Sequence, residues 1–201
     1  DDGPRQVYQQ TKNLGLSVDV LVNNAGLMAY GLFHEIPPEK SERLVKVNVT
    51  AYMTMMRLFL PDMLEKGGGR ILNVSSVAAF QATAFHSVYG ATKAFVQSLS
   101  EGVREEVRGS GVVVSTLNPP YTNTPMLHGE DFPKKLWWYA LSGLSTPEDA
   151  ARAGVKVLVS GKSYYIPGKR HWLFHVLTPR LFPRQLVSRL SYYVLRSRRT
   201  G

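Results

Sequence analysis

Four short β-branched runs, each separated from the next by a stretch long enough for a helix, leave this 201-residue chain few folds to choose from. The runs are 18–22 (V-D-V-L-V), 70–74 (R-I-L-N-V), 111–117 (G-V-V-V-S-T-L) and 163–166 (S-Y-Y-I). They are apolar without strict alternation, the pattern of strands covered on both faces. Between them, residues 39–66 read as a long helix broken near Val47. Residues 86–108 read as a second, with Phe95, Leu99 and Val103 at spacings of four. Gly67-Gly68-Gly69 ends the first helix, and Thr146-Pro147-Glu148-Asp149 opens a third, with Thr146 as N-cap and two acids in the first turn. Strand, helix and strand in this order predict an α/β domain with a parallel sheet and crossover helices. No internal repeat or linker divides it.

Composition narrows the reading further. With 44% hydrophobic and 19% charged residues the chain can bury a core, which excludes a disordered segment. No apolar run reaches the roughly 18–20 residues that span a bilayer, because Arg57, Asp62 and the prolines interrupt each candidate, and no cleavable signal is read. The absence of cysteine excludes disulfides, zinc ribbons and thiol chemistry. The formal charge of +9 is uneven: residues 150–201 hold 11 of the 24 Lys and Arg and none of the 15 acids. A near-neutral body therefore carries a basic end.

Tyr89 and Lys93, in Y-G-A-T-K, lie one helical turn apart, so a phenol and an ammonium share a face. A nearby cation favours the phenolate and moves a tyrosine toward proton exchange near neutral pH. Ser75-Ser76 follows the 70–74 strand at its carboxyl edge, where open α/β sheets bind ligands, and Asn23-Asn24-Ala25-Gly26 leaves the 18–22 strand at the same edge. Singly, each has a plainer reading: a solvated helix face, a helix cap, a strand-to-turn exit. Their order along one edge argues for a site.

Together these residues resemble the short-chain dehydrogenases/reductases. Asn23-Asn24-Ala25-Gly26 matches that family's N-N-A-G, and Asn48 in V-N-V-T matches the asparagine of its long central helix. Ser76 stands 13 residues before Tyr89, Lys93 completes Y-x-x-x-K, and 118–124 (N-P-P-Y-T-N-T) aligns with N-P-G-x-[VIT]-x-T. The resemblance runs from residue 1 to at least residue 168. It implies a Rossmann-like, doubly wound parallel sheet. The family's opening strand and T-G-x-x-x-G-x-G turn do not occur here. The chain is thus expected to be an N-terminally truncated member lacking the first β-α-β-α unit, with 18–22 as an unpaired edge. Pro120 replaces the usual glycine and stiffens the loop after the third strand.

The resemblance implies hydride transfer between a nicotinamide, NAD or NADP with NADP slightly favoured, and a carbonyl or alcohol carbon. Tyr89 would be the acid/base, Lys93 would tune it and hold the nicotinamide ribose, Ser76 would fix the substrate oxygen, and Asn48 would position a water linking Lys93 to solvent. Asn23, Ala25, Gly26, Thr122 and Thr124, with Tyr89 and Lys93, would bind cofactor. The alternative is a truncated or degenerate member that binds no cofactor and is not catalytic. Family members pair as dimers or tetramers through helices equivalent to 39–66 and 86–108, so a homodimer or homotetramer is expected.

Residues 1–168 are expected to form the domain, with a substrate lid at about 125–145 and a basic amphipathic extension at 169–201. The lid carries Met126, Leu127, Phe132, Trp137, Trp138 and Tyr139. That bulk favours a lipophilic ketone, aldehyde or alcohol, the alternative being a packed helix or oligomer contact. His34, His86 and His128 lack ligand spacing, so they read as ordinary polar residues and no metal site is expected. In the extension Leu186, Val187, Leu190, Tyr193 and Val194 form a helical stripe with Arg184, Arg189 and Arg196 off it. This suits either a peripheral membrane contact or a terminal helix docked on the body or a partner subunit. Nucleic acid is set aside, since no binding module is present. The expected location is cytoplasmic, with membrane association through 169–201.

Overall fold

The computed structural model describes residues 2–129, 132–133 and 143–196. Its centre is a four-stranded parallel sheet in the order β1 (Val20–Asn23), β2 (Gly69–Val74), β3 (Val112–Leu117) and β4 (Tyr164–Tyr165). Leu21, Ile71 and Val114 stand in register across the first three strands, and all three are buried. They meet Met56, Phe59 and Met63, which recur along one face of α3 (Tyr52–Glu65). Removing a side chain of this size from water contributes roughly 2 kcal/mol.

Successive residues of a strand point to opposite faces, so Leu72 faces away from Ile71. With Leu117 it packs on Ala153 and Val157 of α5 (Pro147–Ser160). Helices therefore cover both faces, α3 and α4 (Ser87–Glu106) on one and α5 on the other. The chain is a Rossmann-like α/β sheet, as its near-continuous apolar strands required. α1 (Gly3–Asn13) lies against α3 through the Tyr8 and Phe59 rings, 5.1 Å apart, and through the Tyr8 hydroxyl, which donates to Asp62. β1 is an edge: among the described residues it pairs only with β2, and Val20 and Val22 remain exposed.

The stretch read as a helix broken near Val47 is continuous. α2 (Pro38–Val45) passes into α3 through a π-helical turn at Lys46–Ala51, which widens the helix without breaking it. Thr146 caps α5 as its sequence requires, its hydroxyl oxygen accepting from the Asp149 N–H at 3.1 Å. Residues 169–181 form short helical turns that lead to α6 (Arg184–Leu195). No helix among the described residues is long and apolar enough to cross a membrane.

At Gly111, which enters β3 at φ 85°, a Cβ would collide with the Gly67 carbonyl. The turn ending α3 and the start of β3 can close on each other only with glycine there. Gly111→Ala is expected to lower the unfolding free energy by at least ~2 kcal/mol, read as an earlier denaturant midpoint; an unchanged midpoint would refute this account of the turn.

Candidate active site

The carboxyl ends of β1, β2 and β3 open into one cavity of about 780 Å³. Gly26 borders it after β1, Ser75 and Ser76 after β2, and Pro119 and Pro120 after β3, while Tyr89 and Lys93 enter from the first turns of α4. Gly90 lets α4 come close, because a Cβ there would run into Thr83. Thr122 and Thr124 border the same cavity, and the Thr122 hydroxyl donates to the Pro120 carbonyl at 2.9 Å. The stiff Pro119-Pro120 loop is further anchored by the Val77 N–H, which donates to the Pro119 carbonyl at 3.2 Å.

Lys93 is buried, and its ammonium donates to the Val74 carbonyl at the end of β2, 2.8 Å away. Its Nζ lies 5.3 Å from the Tyr52 ring centre and 5.8 Å from that of Tyr89. Burial brings its pKa down to about 8. Tyr89 keeps part of its surface open to the cavity, yet burial pushes its phenol above the ordinary value, opposed by the Ser76 side chain. The phenol is therefore raised by desolvation where a neighbouring cation was expected to lower it. The Tyr52 hydroxyl donates to the Val74 carbonyl at 3.2 Å, and burial followed by the nearby Tyr89 raises its pKa too.

Asn48 sits on the π-helical turn, fully buried behind the cavity wall. Its oxygen accepts from the Leu27 N–H at 2.8 Å, and its amide donates to the Leu27 carbonyl at 2.9 Å and the Thr92 hydroxyl at 3.1 Å. It thereby ties the loop after β1 to α4. Gly26 fits between the two groups: a Cβ there would lie 3.5 Å from Lys93 Nζ and 3.6 Å from Asn48 Oδ1. Ser75 locks the same corner by donating to the Lys93 carbonyl at 2.8 Å.

Two of the expected cofactor-binding residues do not border the cavity. The Asn23 amide is turned into the sheet and donates to Asn73 Oδ1 at 2.8 Å, so Asn24 is the neighbour that borders the cavity; Ala25 is exposed and does not line it. Of the expected lid, Met126 and Leu127 line the cavity, and Phe132 is buried against Tyr30, ring centres 5.1 Å apart. Trp137, Trp138 and Tyr139 lie outside the described residues.

Residues not singled out by sequence also build the wall. His86, read as an ordinary polar residue, borders the cavity with its Nδ1 buried and without a hydrogen-bond partner among the described residues, and burial lowers its pKa to about 4. Its place at the N-cap of α4, three residues before Tyr89, is the signal that could have found it; the two ring centres lie 6.2 Å apart. Val187, Ser191 and Leu195 of α6 close the cavity from the far end of the chain. α6 is held there by the Tyr30 hydroxyl, which donates to the Leu195 carbonyl, and by Tyr192 stacked on Phe85 at 5.3 Å. Phe85 adopts φ 65°, a left-handed conformation unusual for a bulky residue, beside the cavity wall.

The buried histidine sets a pH dependence. The unfolded chain takes up a proton near the ordinary 6.5, whereas folded His86 resists until about 4, so stability is lost as pH falls through that window. The loss attributable to His86 is about 3 kcal/mol at its fullest. Urea unfolding between pH 6.5 and 4.5 should fall less steeply in His86→Gln than in the parent; equal slopes would show that the imidazole is not kept neutral.

The geometry agrees with comparisons to known proteins. The family model described as short chain dehydrogenase matches residues 2–133. The ketoacyl reductase HetN of Nostoc sp. is 35% identical over 152 residues, covering 76% of this chain and 52% of that protein. The chain thus spans about half the length of this curated relative. Among solved structures, a 7β-hydroxysteroid dehydrogenase superposes with a TM-score of 0.80 at 24% identity, over 94% of this chain and 72% of that one. A short chain dehydrogenase from Burkholderia cenocepacia, solved in complex with NADP, gives 0.75 at 25% identity, over 96% and 77%. With Ser76, Tyr89 and Lys93 gathered at one sheet edge and a family match over residues 2–133, the chain belongs to the short chain dehydrogenase family.

Proposed function

We propose that the full-length protein is an NAD(P)-dependent oxidoreductase acting on a lipophilic carbonyl or alcohol, with Tyr89 as its acid/base. The observation that carries this reading is the meeting of Tyr89, Lys93 and Ser76 in one cavity at the carboxyl edge. A nicotinamide, when bound, supplies or accepts the hydride. The gap that Gly26 leaves beside Lys93 and Asn48 suits a ribose hydroxyl near the ammonium. Lys93, Gly26, Thr122 and Thr124 would hold that group, with NADP favoured slightly over NAD.

Ser76 would donate to the substrate oxygen and keep it beside Tyr89. Burial that keeps the phenol protonated suits the reductive direction, in which Tyr89 gives its proton to the oxygen as negative charge develops there. Lys93, charged at neutral pH, stabilises the phenolate left behind, and Asn48 braces the loop and helix that carry the pair. The cavity wall includes the apolar side chains of Met28, Val77, Met126, Leu127 and Phe174, which favours a hydrocarbon-rich substrate. HetN, a named ketoacyl reductase, is a relative of that chemistry. The surfaces expected to meet other molecules are the exposed Val45, Met53 and Phe95 on the long helices, for a second copy, and residues 169–201, for a lipid surface.

The test is Tyr89→Phe in the full-length protein. Turnover of a lipophilic ketone should drop roughly a thousandfold while nicotinamide cofactor affinity stays nearly unchanged. Turnover that survives the substitution would overturn the assignment of Tyr89, and a parent protein that neither binds cofactor nor turns over would favour a non-catalytic member.

A further inference from the structure

α6 is apolar on two sides. Val187, Ser191 and Leu195 are buried and border the cavity. Leu186, Leu190 and Tyr193, at i, i+4 and i+7, share an outer side and are 42%, 51% and 62% exposed. Just before the helix, Leu181 and Phe182 are 68% and 50% exposed. A terminal helix docked on its own domain needs a single apolar side. A second one, contiguous with exposed residues ahead of it, calls for another apolar medium.

Charge selects that medium. Arg180, Arg184, Arg189 and Arg196 are all exposed around this patch, and no acidic residue follows Asp149 in the sequence. Arginines beside an apolar stripe can lay their stems along hydrocarbon and keep the guanidinium at anionic headgroups. Leu190 joins the two sides, since it is half exposed and also borders the cavity. The apolar patch therefore reaches the cavity rim.

We propose that the outer side of residues 181–193 docks on an anionic lipid surface, setting the cavity mouth against the bilayer so that a lipophilic substrate enters without crossing water. The entry route rests on the substrate class proposed above; the docking rests on exposure and charge alone. α6 is then double-sided: its inner residues complete the cavity wall and its outer residues hold it at the membrane.

Flotation of the full-length protein with vesicles tests this. Phosphatidylcholine vesicles containing phosphatidylglycerol should carry the protein upward, pure phosphatidylcholine should carry much less, and high salt should release it. The pairs Arg184→Glu with Arg189→Glu, and Leu190→Ser with Tyr193→Ser, should each weaken binding at least about tenfold. Because these residues are exposed, the thermal melting of both variants should match the parent. Parent and variants that bind anionic vesicles equally, or not at all, would overturn the proposal. It would equally be overturned if the Leu190→Ser with Tyr193→Ser variant turned a dimer into a monomer without changing vesicle binding, since the patch would then belong to a second copy. Vesicle binding by a protein without oxidoreductase activity would leave the docking standing and remove only the reading of the site.

Discussion

A buried ammonium holds the working edge of this protein together. Lys93 donates to the Val74 carbonyl, the last residue of β2, and so joins the end of a central strand to α4 across the base of the cavity. An unpaired cation in that position would carry a heavy desolvation penalty. The carbonyl and the flanking Tyr52 and Tyr89 rings offset part of it, and the lowered pKa records the remainder. Neighbouring bonds converge on the same corner: Ser75 holds the Lys93 carbonyl, Tyr52 shares the Val74 carbonyl, and Asn48 ties the loop after β1 to Thr92 on α4. Position, charge and rigidity of the Tyr89 and Lys93 pair thus share one origin.

The sheet supplies the platform because its two faces are packed from different parts of the chain. Leu21, Ile71 and Val114 face α3, while Leu72 and Leu117 face α5. Anchored on both sides, the strands end at a common edge, and the loops leaving them are short enough to bring Gly26, Ser76 and Pro119 to the same opening. The π-helical turn between α2 and α3 fits this pattern. It turns Asn48 inward without ending the helix, a distortion that pays for itself only where a side chain must reach a fixed place.

The cavity is also a product of the chain's far end. α6 contributes Val187, Ser191 and Leu195 to its wall, and is fastened by Tyr30, by the Phe85–Tyr192 stack and by the Ala84 N–H, which donates to Ser191 Oγ at 3.4 Å. Such an attachment is made of a few contacts, so the helix can serve the site while presenting a second surface outward.

Much of this was legible from residue order. The strands were readable because β-branched runs covered on both faces lack alternation, and the meeting of Tyr89 and Lys93 was readable because four residues separate them on a helix. The Thr146 cap was equally local. Three features were settled only by packing. The inward turn of Asn23 depends on Asn73, 50 residues away, so N-N-A-G could not reveal which asparagine faces the cavity. The raised Tyr89 pKa depends on how much water the surrounding elements remove, which the spacing between Tyr89 and Lys93 does not reveal. The inner side of α6 looked the same in sequence whether it met a membrane, a partner or its own domain, because an amphipathic stripe specifies an apolar neighbour without identifying it. Sequence alone determined which elements form and which side chains stand at their ends, since both follow from local spacing; the tertiary structure decided which side chains face the cavity and how strongly each holds its proton, since both depend on distant neighbours and on the exclusion of water.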